Sequence, residues 1–319
     1  MRHEALSEAR LGFGCLRPGD QNNSGRRAVA CKEEIWMIAL WGQVILPLVE
    51  AVDGKHVLEI GAEFGLSTQA LVNFARRVDG HVHCIDPAPI FDVEEFEAQY
   101  GGRLSFYKDT SLNAIPKIPE VDVVLVDGDH NWYTVYHELK LIEAHSDHDA
   151  LKLPLIFVHD TAWPYGRRDL YYDPASIPEE FRHPYAMQGM GRQKRELMPE
   201  GGINADMNNA LVEGGERNGV LTAVEDYIRE SSLDFEFLNL PLYFGLGILI
   251  SRERLDSNPA LAAEMQKLHG MMQGEKLITI TEKLRMNLTG IVQRMQREQA
   301  ASQARVEELE RELAQLRGG

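Results

Sequence analysis

Three cysteines in 319 residues, Cys15, Cys31 and Cys84, are too few and too irregularly spaced for a disulfide framework or a thiolate metal site. Their odd number, with Cys84 in the middle of an apolar run, points to a reducing compartment and a cytoplasmic protein. Positive charge is scarce too. Against 49 Asp and Glu stand 33 Lys and Arg, a net charge of −16. Such a chain repels phosphate backbones, which argues against nucleic acid as a partner. No apolar leader core follows Met1-Arg2-His3-Glu4-Ala5. The most apolar stretch, Ile35 to Val49, runs for about fifteen residues, short of a membrane crossing. Trp41, Gln43 and Pro47 interrupt it, and it reads as a helix packed on a sheet edge.

What is present is a strand, a glycine turn and a helix. Val57-Leu58-Glu59-Ile60 reads as a short buried strand, Gly61 and Gly65 as a turn, and Ser67-Thr68 as the entry to a helix over Gln69 to Arg77. Glycines let backbone approach a ligand, and a helix N-terminus offers free amides. The spacing is Glu59-x-Gly61-x-x-x-Gly65, not the G-x-G-x-x-G of dinucleotide sites. Glu63 stands where a second turn glycine is expected and disfavours a pyrophosphate. A cationic or zwitterionic nucleoside suits this corner better than NAD.

Four more apolar runs end in polar residues. His81 to Ile85 ends at Asp86, placed to hydrogen-bond both ribose hydroxyls. Leu104 to Lys108 ends at Asp109-Thr110-Ser111, a candidate adenine corner, with a helix N-cap as the competing role for Asp109. Val121 to Val126 ends at Asp127-Gly128-Asp129-His130, and Leu155 to Val158 at His159-Asp160-Thr161. Polar carboxyl ends along successive strands are where open parallel α/β sheets bind ligands.

This series resembles the class I S-adenosylmethionine-dependent methyltransferases. Glu59, Gly61, Gly65 and Ser67 fall in the nucleoside motif, Asp86 matches the ribose acid, and Asp109, Thr110 and Ser111 the adenine corner. Val126-Asp127-Gly128-Asp129-His130 followed by Val158-His159-Asp160-Thr161 is similar to the branch called methyltransferase family 24. That branch includes metal-dependent sugar O-methyltransferases and cephalosporin-hydroxylase-like proteins. The resemblance implies S-adenosylmethionine as cofactor. It implies a divalent metal on Asp127, His159 and Asp160, and His130 as general base beside Asp127. The family often has a carboxylate where His159 stands, and an imidazole there makes Mn²⁺ or Fe²⁺ plausible beside Mg²⁺.

The implied fold is α/β: a Rossmann-like seven-stranded sheet with an antiparallel last strand. Phe235 to Leu240 and Leu246 to Ser251 are the closing pair. A polar segment, 1–30, precedes a methyltransferase domain over 31–255. Residues 162–218 interrupt the domain after the fifth strand with little periodicity, as lids and binding loops do. Aromatics there stack on sugars and guanidinium forks bind hydroxyls or phosphate, so Trp163, Tyr165, Arg167 and Arg168 are candidate substrate contacts. Two strings, 163–172 and 213–227, look like those of family 24 domains associated with polysaccharide assembly, which implies a carbohydrate acceptor.

Residues 256–319 read as helix. From Leu288 through Val292, Met295, Gln299, Ser302, Val306, Leu309 and Leu313 to Leu316, steps of four and three alternate. That is a heptad seam, and it predicts a coiled-coil homo-oligomer. The expectation is a metal-assisted sugar O-methyltransferase that does not span a membrane. The alternative is a catalytically silent methyltransferase-like scaffold that oligomerises through its coiled coil in a polysaccharide-assembly complex.

Overall fold

The computed structural model describes residues 40–100 and 102–318. The expectations for Cys15, Cys31, the segment 1–30 and the start of Ile35–Val49 lie outside the described residues. The strands are β1 (His56–Ile60), β2 (His81–Ile85), β3 (Leu104–Tyr107), β4 (Val123–Val126) and β5 (Leu155–His159), with β6 (Leu170–Tyr171), β7 (Tyr185–Met187), β8 (Gly189–Met190), β9 (Leu197–Met198) and β10 (Asn208–Ala210) in the insertion, then β11 (Phe235–Leu240) and β12 (Leu246–Ser251). One seven-stranded sheet runs β11-β12-β5-β4-β1-β2-β3. β1 to β5 are parallel, and β12 lies antiparallel between β5 and β11. The reversal at β1, flanked by β2 and β4, opens the crevice at the carboxyl ends where such sheets bind ligands.

The helices are α1 (Leu46–Ala51), α2 (Leu66–Val78), α3 (Val93–Tyr100), α4 (Ser111–Ala114), α5 (Trp132–His145), α6 (Val220–Glu230), α7 (Arg252–Ser257), α8 (Pro259–Met272) and α9 (Glu275–Gly318). Helices cover both faces of the sheet, which is why the strands read as unbroken apolar runs rather than alternating ones. On one face Leu48, Leu71, Phe74 and Leu261 pack on Val82, Phe157 and Ile248. On the other, Leu139, Val224 and Tyr227 pack on Leu58, Val124 and Ile156. Each such side chain contributes about 1.5–3 kcal/mol. Among the described residues no helix is long and apolar enough to cross a membrane.

Two expectations change. The insertion, read from its lack of period as irregular, contains two small sheets, β6-β10-β7 and β8-β9. Strands of two or three residues are too short to leave a period in the sequence. The C-terminal region is three helices instead of one. Asn258 accepts from the Leu261 amide at 3.0 Å and donates to the Ala51 carbonyl at 2.8 Å, so it caps α8 and ties it to α1. Leu261, Met265 and Leu268 then belong to the main core.

Candidate active site

The glycine turn is fixed by its neighbours. Gly61 has φ +93°, and a Cβ there would lie 2.2 Å from the Asp127 carbonyl oxygen. The tips of β1 and β4 therefore touch, and any side chain at 61 would force them apart. Glu63 also has positive φ, at +46°, so the backbone takes the glycine-type conformation although the residue is not glycine. Behind the turn, buried Glu59 accepts from Thr68 Oγ1 at 2.5 Å and from Cys84 Sγ at 3.3 Å. Burial raises its carboxyl to about 7 against the opposing hydroxyls of Ser67 and Thr68. Glu59 and Ser67 thus anchor the start of α2 beneath the turn.

Asp86 is at the end of β2 and is committed to the same turn. Its Oδ2 accepts from the Ala62 and Glu63 amides, both at 2.9 Å, and its Oδ1 from Ala88 at 2.7 Å. A carboxylate offers roughly four lone-pair sites, so about one is left. The two-pronged ribose contact read from the sequence is therefore not available in this conformation. Asp109 is not the helix N-cap, a position that Thr110 holds: its Oδ1 accepts from the Thr110 amide at 2.8 Å and Asn113 Nδ2 at 3.2 Å, and its Oδ2 from Lys117 at 3.1 Å. Thr110 is exposed beside it, and Ser111 is buried at the first position of α4.

Next to Gly61, four titratable side chains from β4, β5 and the start of α5 converge. His159 Nδ1 lies 2.8 Å from Asp127 Oδ1 and 3.2 Å from Asp160 Oδ2. His130 Nε2 lies 3.3 Å from Asp160 Oδ2 and 3.6 Å from Asp127 Oδ1. On the far side of its ring, His159 Nε2 donates to the Tyr243 carbonyl at 2.7 Å. A carbonyl only accepts, so the proton on Nε2 is fixed and Nδ1 is the nitrogen that loses its proton when the ring is neutral. Asp127, His159 and Asp160 each offer one ligand atom within 4.8 Å of the others. A metal-bound histidine ordinarily donates its second N–H to a carbonyl, so the set fits a divalent cation.

Electrostatics agree. Burial disfavours charge on both imidazoles, but Asp160 and Asp127 outweigh it for His130, which is raised to about 9. Asp127 and Asp160 likewise raise His159 to about 10. Burial pushes Asp127 up, yet the His159 and His130 charges hold it at about 2. Two carboxylates are thus balanced by two imidazolium protons. An isolated imidazole would be largely neutral at pH 7 to 8; the carboxylates of Asp160 and Asp127 raise this one.

The insertion residues divide. Tyr165 is buried, its ring 5.5 Å from that of His130. Tyr172 is 52% exposed and lies at 5.7 Å on the same imidazole. Trp163 packs on the cluster of Tyr165, Leu170 and Met190 and lines a small pocket with Arg192, Glu282 and Met286. Arg167 and Arg168 are corrections. Arg167 forks onto Glu225 of α6, two bonds at 2.6 Å, and donates to Thr222. Arg168 is fully buried, donating to the Ala210 and Arg195 carbonyls. Both guanidinium groups hold the insertion together. Sequence reasoning missed Tyr172 and Tyr243. The first stood in an aromatic run that gave it no priority. The second acts through its backbone, which carries no side-chain signal.

Residues 58–161 match the model of the Methyltransf_24 family, described as a methyltransferase domain. A comparison with curated proteins gives no match. Among solved structures, the chain is similar to the S-adenosylhomocysteine-bound methyltransferase PaMTH1 of Podospora anserina, at 16% identity and a TM-score of 0.42 over 75% of this chain and 100% of that one. It is similar to human N-acetylserotonin methyltransferase in complex with S-adenosylmethionine, at 15% identity and TM-score 0.39 over 72% and 55% of the chains. It is also similar to a Burkholderia thailandensis 1,6-didemethyltoxoflavin-N1-methyltransferase, at 11% identity and TM-score 0.36 over 74% and 92%.

Proposed function

We propose, from the premise that residues 58–161 form a class I S-adenosylmethionine-dependent methyltransferase domain, that the protein methylates a sugar hydroxyl of a glycan or glycoconjugate with the help of a divalent metal. The carrying observation is the convergence of Asp127, Asp160 and His159 Nδ1 on one point, with His159 oriented by the Tyr243 carbonyl. S-Adenosylmethionine supplies an electrophilic methyl group; the protein supplies orientation and electrostatics. Asp127, His159 and Asp160 would hold a divalent ion, which would supply Lewis acidity toward an acceptor hydroxyl; Mg²⁺, Mn²⁺ and Fe²⁺ all suit such a mixed oxygen and nitrogen set.

His130 is the base. Its Nε2 faces the same point as the carboxylates. A divalent charge on Asp127 and Asp160 would lessen their hold on the imidazolium proton, leaving His130 Nε2 to take a hydroxyl proton. Gly61 brings the nucleoside turn against the Asp127 backbone, so donor and acceptor sites are neighbours. Exposed Tyr172 beside His130 offers a ring face of the kind that stacks on a sugar. The acidic composition disfavours polyanionic acceptors.

The test has two stages. Elemental analysis and calorimetry with S-adenosylhomocysteine, with and without Mn²⁺ or Mg²⁺, come first; methyl transfer is then screened over sugars. The expected result is one metal per chain, cofactor binding that survives chelation, and turnover that does not. Full turnover in excess chelator would sink the metal assignment and leave the four residues as an internal salt-bridge cluster.

A further inference from the structure

Where the insertion, the β11–β12 turn and α9 meet there is a small pocket. Trp163 and Arg192 line it from the insertion, Pro241 from the turn, and Thr279, Glu282 and Met286 from α9. Its wall is continuous with the supports of the reaction cluster. Ala162, also in the lining, comes two residues after Asp160, and its amide donates to the Phe244 carbonyl at 2.6 Å. The Phe244 ring meets the edge of His159, whose Nε2 donates to the neighbouring Tyr243 carbonyl. Trp163 packs in one cluster with Tyr165, and the Tyr165 ring stands 5.5 Å from that of His130. Residues that touch both histidines of the cluster therefore also border this pocket.

Arg192 is the unusual member. Its Nη1 is buried and has no hydrogen-bond partner among the described residues. Its guanidinium carbon lies 5.8 Å over the Trp163 ring, which holds the group in place. The chain carries 49 acidic residues against 33 basic ones, yet among the described residues Arg192 forms no ion pair. The acids beside it are taken. Glu282 accepts from Arg285 at 2.8 and 2.7 Å and from the Phe244 amide at 3.2 Å. Glu213, beside Trp163, is faced by Arg168 and Arg195. Other guanidinium groups of the insertion are answered: Arg167 by Glu225, Arg182 by the Pro174 carbonyl and Arg195 by the Glu213 carbonyl. A charged donor that is buried and unpaired is costly, and such a group in a native structure calls for a partner.

We propose that this pocket is an acceptor subsite for one carboxylate, that of a single uronic acid unit in the glycan, with Arg192 as its charged partner and Trp163 as apolar surface for the sugar ring. The proposal rests on the reading of the protein as a glycan methyltransferase and names a substituent of its acceptor. A carboxylate fits better than a phosphate for two reasons. Its two coplanar oxygens match the guanidinium fork. In a chain of net charge −16, with Glu282 in the same lining, one negative charge is tolerated better than two. Trp163 and Arg192 are half-buried, so the sugar ring reaches them from solvent while the buried Nη1 meets the carboxylate. Arg192 is then a specificity-determining residue: it selects the acceptor and takes no part in proton or methyl transfer.

The experiment uses the full chain, with and without S-adenosylhomocysteine and Mn²⁺, and reads binding rather than turnover. Three ligands are titrated: methyl β-D-glucuronide, methyl β-D-glucoside and glucose 1-phosphate. Calorimetry gives the affinities, and the Trp163 indole N–H NMR signal, assigned by its loss in Trp163→Phe, reports the place. The glucuronide should bind at least about tenfold more tightly than the glucoside and more tightly than the phosphate, and it should shift the Trp163 signal. Arg192→Gln should bring the glucuronide down to the glucoside's affinity, and Arg192→Lys, which keeps the charge but not the fork, should recover part of the difference. S-Adenosylhomocysteine affinity should stay the same in both variants. No binding of the glucuronide, no preference for it over the glucoside, or a preference that survives Arg192→Gln overturns the subsite. Tighter binding of glucose 1-phosphate overturns the choice of a carboxylate. The two readings fail separately. Methyl transfer to neutral sugars with no gain from a carboxylate sinks the subsite and keeps the function. Arg192-dependent glucuronide binding without methyl transfer to any sugar keeps the subsite and counts against the function.

Discussion

Two polar clusters, one in the insertion and one around Asp127, have been resolved in opposite ways. In the insertion, Arg167 forks onto Glu225, Arg168 donates to two carbonyls, and buried Asp169 accepts from the Trp132 amide at 2.7 Å, the Gly219 amide at 2.7 Å and the Tyr171 hydroxyl at 2.8 Å. Most donors there meet acceptors, with Arg168 Nε a buried exception. Around Asp127 the carboxylates of Asp127 and Asp160 face Nδ1 of His159 and Nε2 of His130, and protons on the two imidazoles answer them. A cluster whose partners are built in is architecture. A cluster of carboxylates and imidazoles with strongly perturbed proton affinities is where chemistry is to be sought.

The contrast can be broken most decisively at His130. His130→Ala is expected to lower kcat by about 10²–10⁴-fold while the fold persists, since a positioned base is worth that much and the ring carries little of the core. Retention of a third of kcat with the true acceptor moves the base role elsewhere. In the satisfied cluster the effect should fall on stability instead. Asp169→Ala strands three buried donors, and urea unfolding should report a loss of about 3–5 kcal/mol. A loss under about 1 kcal/mol means the insertion is not held by this residue.

Protons sharpen the same contrast. In the metal-free chain His130 and His159 titrate near 9 and 10, above the ordinary 6.5. Their contribution to stability is therefore complete below about 6.5 and lost as pH rises through 9 to 10. Asp127, held near 2, loses its contribution as pH falls through that value. Metal must displace the imidazole protons, so Mn²⁺ affinity should rise about 10- to 100-fold per pH unit between 6 and 8, with about one to two protons released. Calorimetry in buffers of different ionisation enthalpy reads this directly; pH-independent affinity removes His159 from the ligand set.

The smallest expected effect is at the surface pair. Arg167 and Glu225 are both substantially exposed, and Arg167→Ala should cost only about 0.2–1 kcal/mol in a thermal or urea midpoint. Its KM for the acceptor should stay within about threefold of the parent's, because the fork is turned toward α6; a change of about tenfold would restore Arg167 to the substrate site.

Much of the fold was legible because it rests on local chemistry. Val57 to Ile60, Phe235 to Leu240 and Leu246 to Ser251 carry their strand character in their own side chains, and the structure places strands there. The insertion was misread because its strands are too short to show a period, and the C-terminal helix because Asn258 and Pro259 break it. Asp127, His130, His159 and Asp160, singled out at strand ends in the sequence, do converge. The turn amides on Asp86 and the burial of Arg168 were not legible along the chain, because both depend on backbone from distant segments.

What the sequence by itself determined is which residues stand at which strand ends, since hydrophobic runs and glycine spacing are properties of neighbours along the chain. Only the tertiary structure decided which of those charges remain unanswered. Arg168 and Asp127 are both charged residues a few positions beyond apolar runs. Whether each meets a carbonyl, a carboxylate or a second imidazole depends on residues 27 to 116 positions away, such as Ala210, Arg195, His159 and Tyr243. Burial makes those distant partners the ones that count, because in a low-dielectric interior an unanswered charge costs far more than it does in water.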